Sequence, residues 1–256
     1  MADVRTLAIT DHHEVGAYVE AHAAADRYGV ELVPAVELDC TSAGRRVDLL
    51  GLWIDPESAS LQYFLDSWPS GMRQMLDDQA LLDWLSGSVG ATIDRESINR
   101  HAKGRPAGAL SVTIALVEVG FGATIGDAFR KYRRLRETGS PPKSVRRHPA
   151  LPEGAAAIRA AGGVAVLAHP GLVGDDSLVE ELLATGVADA VEARYGGYHR
   201  RGDEVNERFR AMAGRLGVPV SAGSDFHAYP FDAVRLGVDA PPDIATRLRN
   251  SARARG

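Results

Sequence analysis

The sequence predicts a mixed α/β fold of the barrel type with a helical insertion. Short apolar segments typical of buried strands alternate with segments of helical periodicity in the first and last thirds of the 256-residue chain. Polar side chains that can bind metals follow several apolar segments, as they do where the strands of an α/β sheet end at an active edge. We therefore expect the functional residues at the carboxyl ends of the strands.

The N-terminal segment predicts a parallel strand, helix, strand unit. The first strand is Val4–Ile9, and the helical spacing of Glu14–Tyr28 is followed by a glycine. The next apolar run, Glu31–Val36, begins almost at once, which favours parallel strands joined by a helical crossover. A third strand is predicted over Val47–Trp53, although Asp48 interrupts its apolar run.

Residues 55–148 are predicted as a helical insertion or cap, because no convincing strand separates their helical segments. An α/β active site needs a part of the chain that excludes water and holds substrate, and such an insertion is suited to this. The predicted helices are Leu61–Leu65, Met72–Leu85, Ile93–His101, Ala109–Val119 and Ile125–Leu135. The barrel domain then comprises residues 1–54 and 149–256.

The α/β alternation returns after the insertion. The predicted helices are Glu153–Ala161, Asp175–Thr185, Asp203–Leu216 and Ile244–Arg255. The predicted strands are Gly163–Ala168, Ala188–Ala193, Val218–Ala222 and a weak Val234–Val238.

Composition is that of a soluble globular protein, with 45% hydrophobic and 25% charged residues. A net charge of −5 gives no general attraction to nucleic acid or to anionic membranes. No apolar run reaches the roughly 20 residues that span a bilayer, and the N-terminus lacks the features of a signal peptide, so we expect a cytoplasmic location. The single cysteine, Cys40, excludes an internal disulfide, and a role as a small core residue is favoured over one as a nucleophile.

Five residues with metal-binding side chains follow four of the predicted strands. They are His12, Glu37, His169, Asp225 and His227. Imidazole and carboxylate groups are the ligands expected for zinc, manganese or iron at a hydrolytic site. One histidine at a strand end is more often a hydrogen-bonded structural residue, but five such groups at equivalent positions favour a metal site. Asp225 and His227 favour it further, because side chains two apart on an extended backbone point to the same side.

Four motifs occur in order along the chain: Thr10-Asp11-His12, Pro34-Ala35-Val36-Glu37, Gly162-Gly163-Val164-Ala165-Val166-Leu167-Ala168-His169-Pro170 and Gly223-Ser224-Asp225-Phe226-His227. Together they resemble the motifs of the polymerase and histidinol phosphatase (PHP) family, and in particular its stand-alone metal-dependent phosphoesterases. The resemblance covers nearly the whole chain. A further segment, Gly104-Arg105-Pro106, is similar to the Gly-Arg-Pro-His segment of that subgroup.

The resemblance implies a seven-stranded distorted (β/α) barrel with up to three divalent ions, such as Mn²⁺, Zn²⁺ or Fe²⁺. It implies that metal-activated water hydrolyses a phosphoester in a small phosphorylated molecule or a nucleotide. Arg105 matches the family's phosphate-binding arginine. His199 is a candidate for contacting substrate or donating a proton, against the plainer interpretation of a solvated loop histidine. The expected metal ligands are His12, Glu37, Asp48, His169, Asp225 and His227.

The sequence also departs from the family. The family's first strand, which carries a His-x-His motif, has no counterpart, so Val4–Ile9 matches the second strand of the family. Asp48 and Ala107 stand where the family has histidines. Fewer than three ions are therefore expected, since one site is left with two carboxylates only. The other two sites are partial and would use Glu37, Asp48 and His169 in one case and His12 and His227 in the other.

Two explanations of these departures remain open. Either the reading begins at an internal methionine and the missing strand lies upstream, or the protein has lost ligands. In the second case it is a catalytically impaired module that binds phosphate or nucleotide without turnover. Hydrolysis of C–N bonds is a third class, because similar metal barrels support it. Composition predicts neither the substrate, the metal nor the oligomeric state.

Overall fold

The fold is given by a computed structural model that describes residues 4–69, 74, 76–102, 107–142, 147–197, 202–227 and 236–253. The chain divides into two compact units. The sheet unit comprises Met1–Trp68, His148–Phe226 and Val234–Gly256, and the helical unit comprises Pro69–Arg147 and His227–Ala233. The strands that the structure describes all belong to the sheet unit.

The sheet unit contains seven strands and six α-helices among the described residues. Its strands are β1 (Thr6–Ala8), β2 (Glu31–Val33), β3 (Ala35–Ser42), β4 (Arg45–Leu52), β5 (Val164–Leu167), β6 (Ala190–Tyr195) and β7 (Val220–Gly223). Its helices are α1 (Ala17–Tyr28), α2 (Ala59–Ser67), α7 (Leu151–Ala160), α8 (Asp176–Ala184), α9 (Gly202–Leu216) and α10 (Ile244–Arg253). Helix α1 ends at Gly29, whose φ of 65° is a left-handed conformation that glycine adopts without steric cost.

Five strands form a mixed sheet in the order β3-β4-β5-β6-β7. Strands β3, β4 and β5 pair antiparallel, whereas β5, β6 and β7 pair parallel. Strands β1 and β2 form a parallel pair joined by α1, as predicted. A parallel bridge between His12 and Glu37 extends the pairing of the first segment onto β3. The mixed α/β class is confirmed; the described strands form two open sheets, and the closed barrel stays a prediction.

The prediction that a strand ends at Glu37 is wrong. Strand β3 continues to Ser42 and the chain returns through a two-residue turn as β4. The turn residues Ala43 and Gly44 have φ values of 48° and 73°, which are typical of hairpin turns that match the twist of the strands. Glu37 and Asp48 therefore lie inside the strands of an antiparallel hairpin and not at strand ends.

The main core packs α2, α7, α8 and α9 against one face of the mixed sheet. Its fully buried side chains include Leu38, Leu49, Ile158, Leu167 and Phe209. Cys40 is fully buried in this core, as predicted for a core residue, and an added Cβ at Gly154 would lie 2.7 Å from its Sγ. Because side chains alternate along a strand, the residues that flank these core positions point to the opposite face of the sheet.

The helical unit contains α3 (Gln79–Val89), α4 (Arg95–Asn99), α5 (Ala109–Glu118) and α6 (Ile125–Thr138). It has a core of its own, built around Leu82, Ile98, Leu116 and Tyr132. Three of its helices begin at a side chain that accepts backbone N–H groups of the first turn, as N-caps do. These caps are Asp78, Asp94 and Thr124.

Three predicted elements differ in the structure. The helix predicted over Met72–Leu85 is interrupted at Asp78: the described residues 74, 76 and 77 before it are helical, and α3 begins at Gln79 because Asp78 caps its first turn. The helix predicted at Leu61–Leu65 is α2 and belongs to the sheet unit. The weak strand predicted over Val234–Val238 is not formed by residues 236–238, the part of it that the structure describes. Within the described ranges, no helix combines the length and the apolar character needed to cross a membrane.

Candidate metal centre

The β3–β4 hairpin carries three acidic side chains on the face opposite the main core. Glu37 and Asp39 are two apart on β3 and therefore share this face. Asp48 on β4 is the cross-strand partner of Asp39. The side chains of Glu37, Asp39 and Asp48 are only 6%, 6% and 11% exposed. Three carboxylates are thus gathered in one buried patch, which is unfavourable unless cations balance them.

His169 reaches this patch from the end of β5. Its φ of 26° lies in the left-handed region, and its backbone N–H donates to Oε2 of Glu192 at 2.8 Å. Its Nε2 is 3.2 Å from Oε1 of Glu37 and 3.7 Å from Oδ2 of Asp48. One donor atom from each of these three residues lies within 4.8 Å of the other two.

These spacings fit a divalent metal ion. Two ligands at 2.0–2.1 Å from a tetrahedral zinc ion are about 3.4 Å apart. The distances of 3.2 and 3.7 Å from the imidazole to the two carboxylates lie on either side of that value. One imidazole nitrogen with two carboxylate oxygens is also a donor set of hydrolytic zinc, manganese and iron sites. The residues present therefore fit the metal that the sequence predicts.

His12 lies beside the cluster, where its chain segment pairs with β3. Its Nδ1 is 2.8 Å from Oδ1 of Asp39, and its Nε2 is 3.9 Å from Oε2 of Glu37. Glu37 thus presents one oxygen to His169 and the other to His12. The carboxylate of Glu37 is the central group of the site.

The carboxylates and imidazoles of the site shift one another's pKa values. Burial alone would lower the pKa of His169, but the bond to Glu37 and the charge of Asp48 raise this pKa to about 9. Burial also acts to lower the pKa of His12, and the bond to Asp39 with the nearby carboxylates raises it to about 9. In return the imidazoles hold the pKa of Glu37 below its ordinary value, although burial would raise it. Without a metal ion both imidazoles are therefore protonated at neutral pH.

Arg46 joins two of the carboxylates. Its Nε donates to Oδ1 of Asp48 at 2.9 Å and its Nη2 donates to Oδ1 of Asp39 at 2.8 Å. Burial raises the pKa of Asp48, and the charge of Arg46 offsets this only in part. For Asp39 the effect of burial is outweighed by His12 and Arg46, which hold the pKa of that carboxyl well below its usual range.

His13 holds β3 in place through two bonds. Its backbone N–H donates to the carbonyl of Glu37 at 2.8 Å, and its Nε2 accepts the backbone N–H of Asp39 at 2.8 Å. A ring nitrogen that accepts a hydrogen bond is unprotonated, and burial lowers the pKa of His13 accordingly. His13 is therefore a neutral structural residue that holds the backbone of β3 at Glu37 and Asp39.

Glu192 and Asp225 extend the site onto β6 and β7. Glu192 is buried, and burial raises the pKa of its carboxyl to about 7 against the bond from the His169 N–H. Asp225 follows β7 with a φ of 50°, and its Oδ2 accepts the Tyr195 hydroxyl at 2.7 Å. The Tyr195 ring meets the His169 imidazole edge to face, with centres 5.5 Å apart. A chain of contacts thus links Asp225 to His169.

The cluster brings together half of the six predicted ligands, namely Glu37, Asp48 and His169. His12 is next to them, and Asp225 is linked to them through Tyr195. His227 is exposed and is grouped with the helical unit. The predicted substrate-binding residues Arg105 and His199 lie outside the described residues.

Asp39, Arg46 and Glu192 were not predicted. Polar and apolar side chains alternate from Glu37 to Thr41, which is the period of a strand with one polar face. That alternation could have identified Asp39. Glu192 is the one carboxylate inside the short run Ala190–Ala193, and an acid in a buried strand is a candidate functional residue.

The chain is similar in sequence to a nucleoside bisphosphate phosphatase and to exoribonucleases. No family model matches the sequence. The chain is 31% identical over 233 residues to the 3′,5′-nucleoside bisphosphate phosphatase of Chromobacterium violaceum, covering 87% of this chain and 76% of that protein. It is 30% identical over 257 residues to the 5′-3′ exoribonuclease Rnm of Salmonella typhimurium, covering 91% of this chain and 78% of that one.

Two solved structures share the fold. A protein of Bifidobacterium adolescentis assigned as a metal-dependent phosphoesterase superposes with a TM-score of 0.79 at 23% identity, over 97% of this chain and 86% of that one. An amidohydrolase of Chromobacterium violaceum with bound sulfate and no metal superposes with a TM-score of 0.73 at 26% identity, over 96% and 86% of the two chains. Because 31% identity extends over 76% of the nucleoside bisphosphate phosphatase, the chain belongs to the phosphoesterase family of that enzyme.

Proposed function

We propose that the protein is a metal-dependent phosphoesterase of the PHP family that acts on a nucleotide or another small phosphorylated molecule. The observation that carries this proposal is the cluster of Glu37, Asp48 and His169, with donor atoms at metal-ligand spacing. Mn²⁺, Zn²⁺ and Fe²⁺ all suit this mixture of imidazole and carboxylate, and fewer than three ions are expected. In keeping with the sequence motifs we assign three further ligands, His12, Asp225 and His227.

A bound divalent ion would lower the pKa of a water molecule to give a nucleophile and would offset negative charge on the phosphate. The protein's own residues hold the donors in place. Glu37 is held between two imidazoles, and one oxygen of Asp48 is held by Arg46 while the other faces His169. Because the side chains are buried, these charged groups interact more strongly than they would in water.

The relatives guide the choice of substrate. A nucleoside bisphosphate and a ribonucleic acid chain both carry phosphate esters of a ribose, so we propose a nucleotide phosphoester as the substrate class. Arg105 would bind its phosphate, and His199 would contact the substrate or donate a proton to the leaving group. Curated relatives named as a nucleoside bisphosphate phosphatase and an exoribonuclease act on phosphoesters, which favours a phosphoester over a C–N bond as the target.

The elements around the site would follow the architecture that the sequence motifs predict. The strands would belong to a distorted (β/α) barrel of the seven-stranded type, and residues 55–148 would form its cap. The protein would act in the cytoplasm on a small, soluble substrate, in keeping with its net charge of −5.

Phosphate release tests the proposal directly. The purified protein is freed of metal with a chelator, supplied with Mn²⁺, Zn²⁺ or Fe²⁺, and incubated with adenosine 3′,5′-bisphosphate and with a chromogenic phosphodiester. We expect hydrolysis that depends on the added ion. Substituting Asp48→Asn or His169→Asn should reduce the rate at least a hundredfold, as removal of groups that support a metal site does. The matched control is His22→Asn, which changes a half-exposed histidine on α1.

The outcome also separates the two explanations of the departures from the family motifs. Metal binding with turnover supports the enzyme. If calorimetry shows metal or nucleotide binding but none of the three ions supports turnover, the protein is the catalytically impaired module. Absence of both metal binding and hydrolysis overturns the proposed function.

A further inference from the structure

We propose that Arg46 occupies, with its guanidinium group, the place of a second metal ion, and so limits the cluster on the β3–β4 hairpin to one divalent ion. This inference rests on the proposed function, because it requires that Glu37, Asp48 and His169 bind metal.

The contacts of Arg46 are those of a bridging cation. Its Nε bonds Asp48 at 2.9 Å and its Nη2 bonds Asp39 at 2.8 Å, so one guanidinium joins two separate carboxylates. An arginine frequently binds both oxygens of a single carboxylate instead. A metal ion coordinated by two carboxylates from neighbouring strands shares its charge between them in the same way.

The groups around Arg46 would themselves suit a metal ion. Oδ1 of Asp39, which accepts from Arg46, is also 2.8 Å from Nδ1 of His12. The guanidinium therefore lies among two carboxylates, and one of them is bound to an imidazole. This is the donor set found in first-row metal sites.

The remaining donors are arranged as if for two ions. Glu37 turns Oε1 to His169 and Oε2 to His12. Asp48 turns Oδ2 to His169 and Oδ1 to Arg46. Each carboxylate thus has one oxygen on the side of His169 and one on the other side. Sites that hold two ions about 3.5–4 Å apart use carboxylates in this way. Here Arg46 supplies the positive charge on the second side.

Charge balance leads to the same number of ions. Glu37, Asp39 and Asp48 carry three negative charges when ionised, and Arg46 neutralises one of them. When His12, His169 and Glu192 are neutral, the remaining two negative charges equal the charge of one divalent ion. A second divalent ion beside the guanidinium would leave the buried cluster with an excess of two positive charges, which is costly in a buried site.

Strand β4 places Arg46 on the face that carries the carboxylates and Arg45 on the opposite face. Arg46 and Asp48 are two apart on β4 and share the carboxylate face. Arg45, on the other face, pairs with Asp175 at 3.4 Å. The side chain of Arg46 is 50% exposed, so its removal does not open a cavity in the core.

The test compares Arg46→Met with the matched control Arg45→Met, which removes the same charge from the adjacent position. Both full-length proteins are freed of metal, equilibrated with Mn²⁺ by dialysis, and analysed for bound manganese per chain by mass spectrometry. Circular dichroism establishes that each variant is folded, and Arg46→Gln replaces Arg46→Met if the latter is not.

We expect Arg46→Met to bind one manganese ion more per chain than the wild type, and Arg45→Met to bind the wild-type number. The additional ion should disappear in the double variant Arg46→Met/Asp39→Asn, because its proposed ligand is removed. Without metal, Arg46→Met should melt at a lower temperature than Arg45→Met, and Mn²⁺ should raise its melting temperature more.

Three results would count against these ideas, and they are distinguishable. If the wild type binds manganese but Arg46→Met binds no additional ion, Arg46 does not stand in for a cation and this inference is wrong. If the wild type binds no divalent ion at all, the proposed function itself fails. An additional ion that persists in the double variant would place it away from Asp39 and would also overturn the inference.

Discussion

Metal binding to this site should release protons and should tighten as pH rises. The pKa of His169 is raised to about 9 in the metal-free protein, because its Nε2 lies 3.2 Å from Glu37 and 3.7 Å from Asp48. A metal ion binds only the neutral imidazole. At pH 7.5, with a pKa of about 9, roughly 97% of His169 is protonated, so displacing the proton costs about 2 kcal/mol. This cost corresponds to about a thirtyfold weaker apparent affinity.

Titration calorimetry measures both the number of protons released and the affinity for the metal ion at each pH. At pH 7.5 the heat of Mn²⁺ binding is recorded in buffers of different ionisation enthalpy, and the slope gives the number of protons released. We expect about one proton per ion for a site that uses His169 and about two where His12 is also a ligand, since its pKa is likewise about 9. The apparent association constant should rise about tenfold per pH unit for each proton between pH 7 and 8.5.

A surface histidine provides the control. The His22→Asn variant removes an imidazole that is half exposed on α1 and should leave proton release unchanged. Binding of Mn²⁺ that releases no protons and is equally tight at pH 7 and 8.5 would refute the reasoning. It would mean either that His169 is neutral in the metal-free protein or that it is not a ligand.

Four further changes should alter stability. The stabilisation that His12 and His169 give the metal-free protein should be complete at about pH 6.5 and should be lost as pH rises through about 9, because a raised histidine pKa stabilises the fold only while the imidazole is protonated. The melting temperature should therefore fall between these two pH values. Gly51→Ala should destabilise by about 1–3 kcal/mol in urea unfolding, since its Cβ would lie 2.9 Å from Ile158 Cγ1. Gly87→Ala, in a helix with open space around it, should instead stabilise by about 0.5–1 kcal/mol. His13→Phe should cost about 1–3 kcal/mol by leaving the buried Asp39 N–H without its acceptor, and His13→Gln should restore part of this.

Much of the fold follows from local signals in the sequence. The parallel pair β1 and β2 and the helix between them were predicted from an apolar run, a helical period and a closing glycine, and the structure confirms them. These signals are reliable because each depends only on nearby residues. The return of β3 into β4 was missed, since the predicted strand was ended at Glu37. The Ala43-Gly44 turn was the local signal for it.

The candidate site was predictable only in part, because its members depend on charge partners that are distant in sequence. Glu37 and His169 were found through strand-end motifs, although Glu37 proved to lie within a strand. Asp39 and Glu192 are acids on buried strand faces, where side-chain propensity alone disfavours them. They are tolerated because His12, Arg46 and the His169 N–H provide compensating contacts. No short sequence window contains that information.

The backbone at the site carries strain that these same contacts offset. His13, His169 and Asp225 have φ values of 53°, 26° and 50°, a region that costs a residue other than glycine of order 1–3 kcal/mol. Each is anchored by a hydrogen bond to another strand of the site: His13 N–H to Glu37 O, His169 N–H to Glu192, and the Tyr195 hydroxyl to Asp225. Glycine at these positions would relieve the strain but would remove an imidazole or a carboxylate. The chain therefore retains unfavourable dihedrals at His169 and at two residues near the cluster, His13 and Asp225, which is the expected pattern where side-chain placement serves function rather than stability.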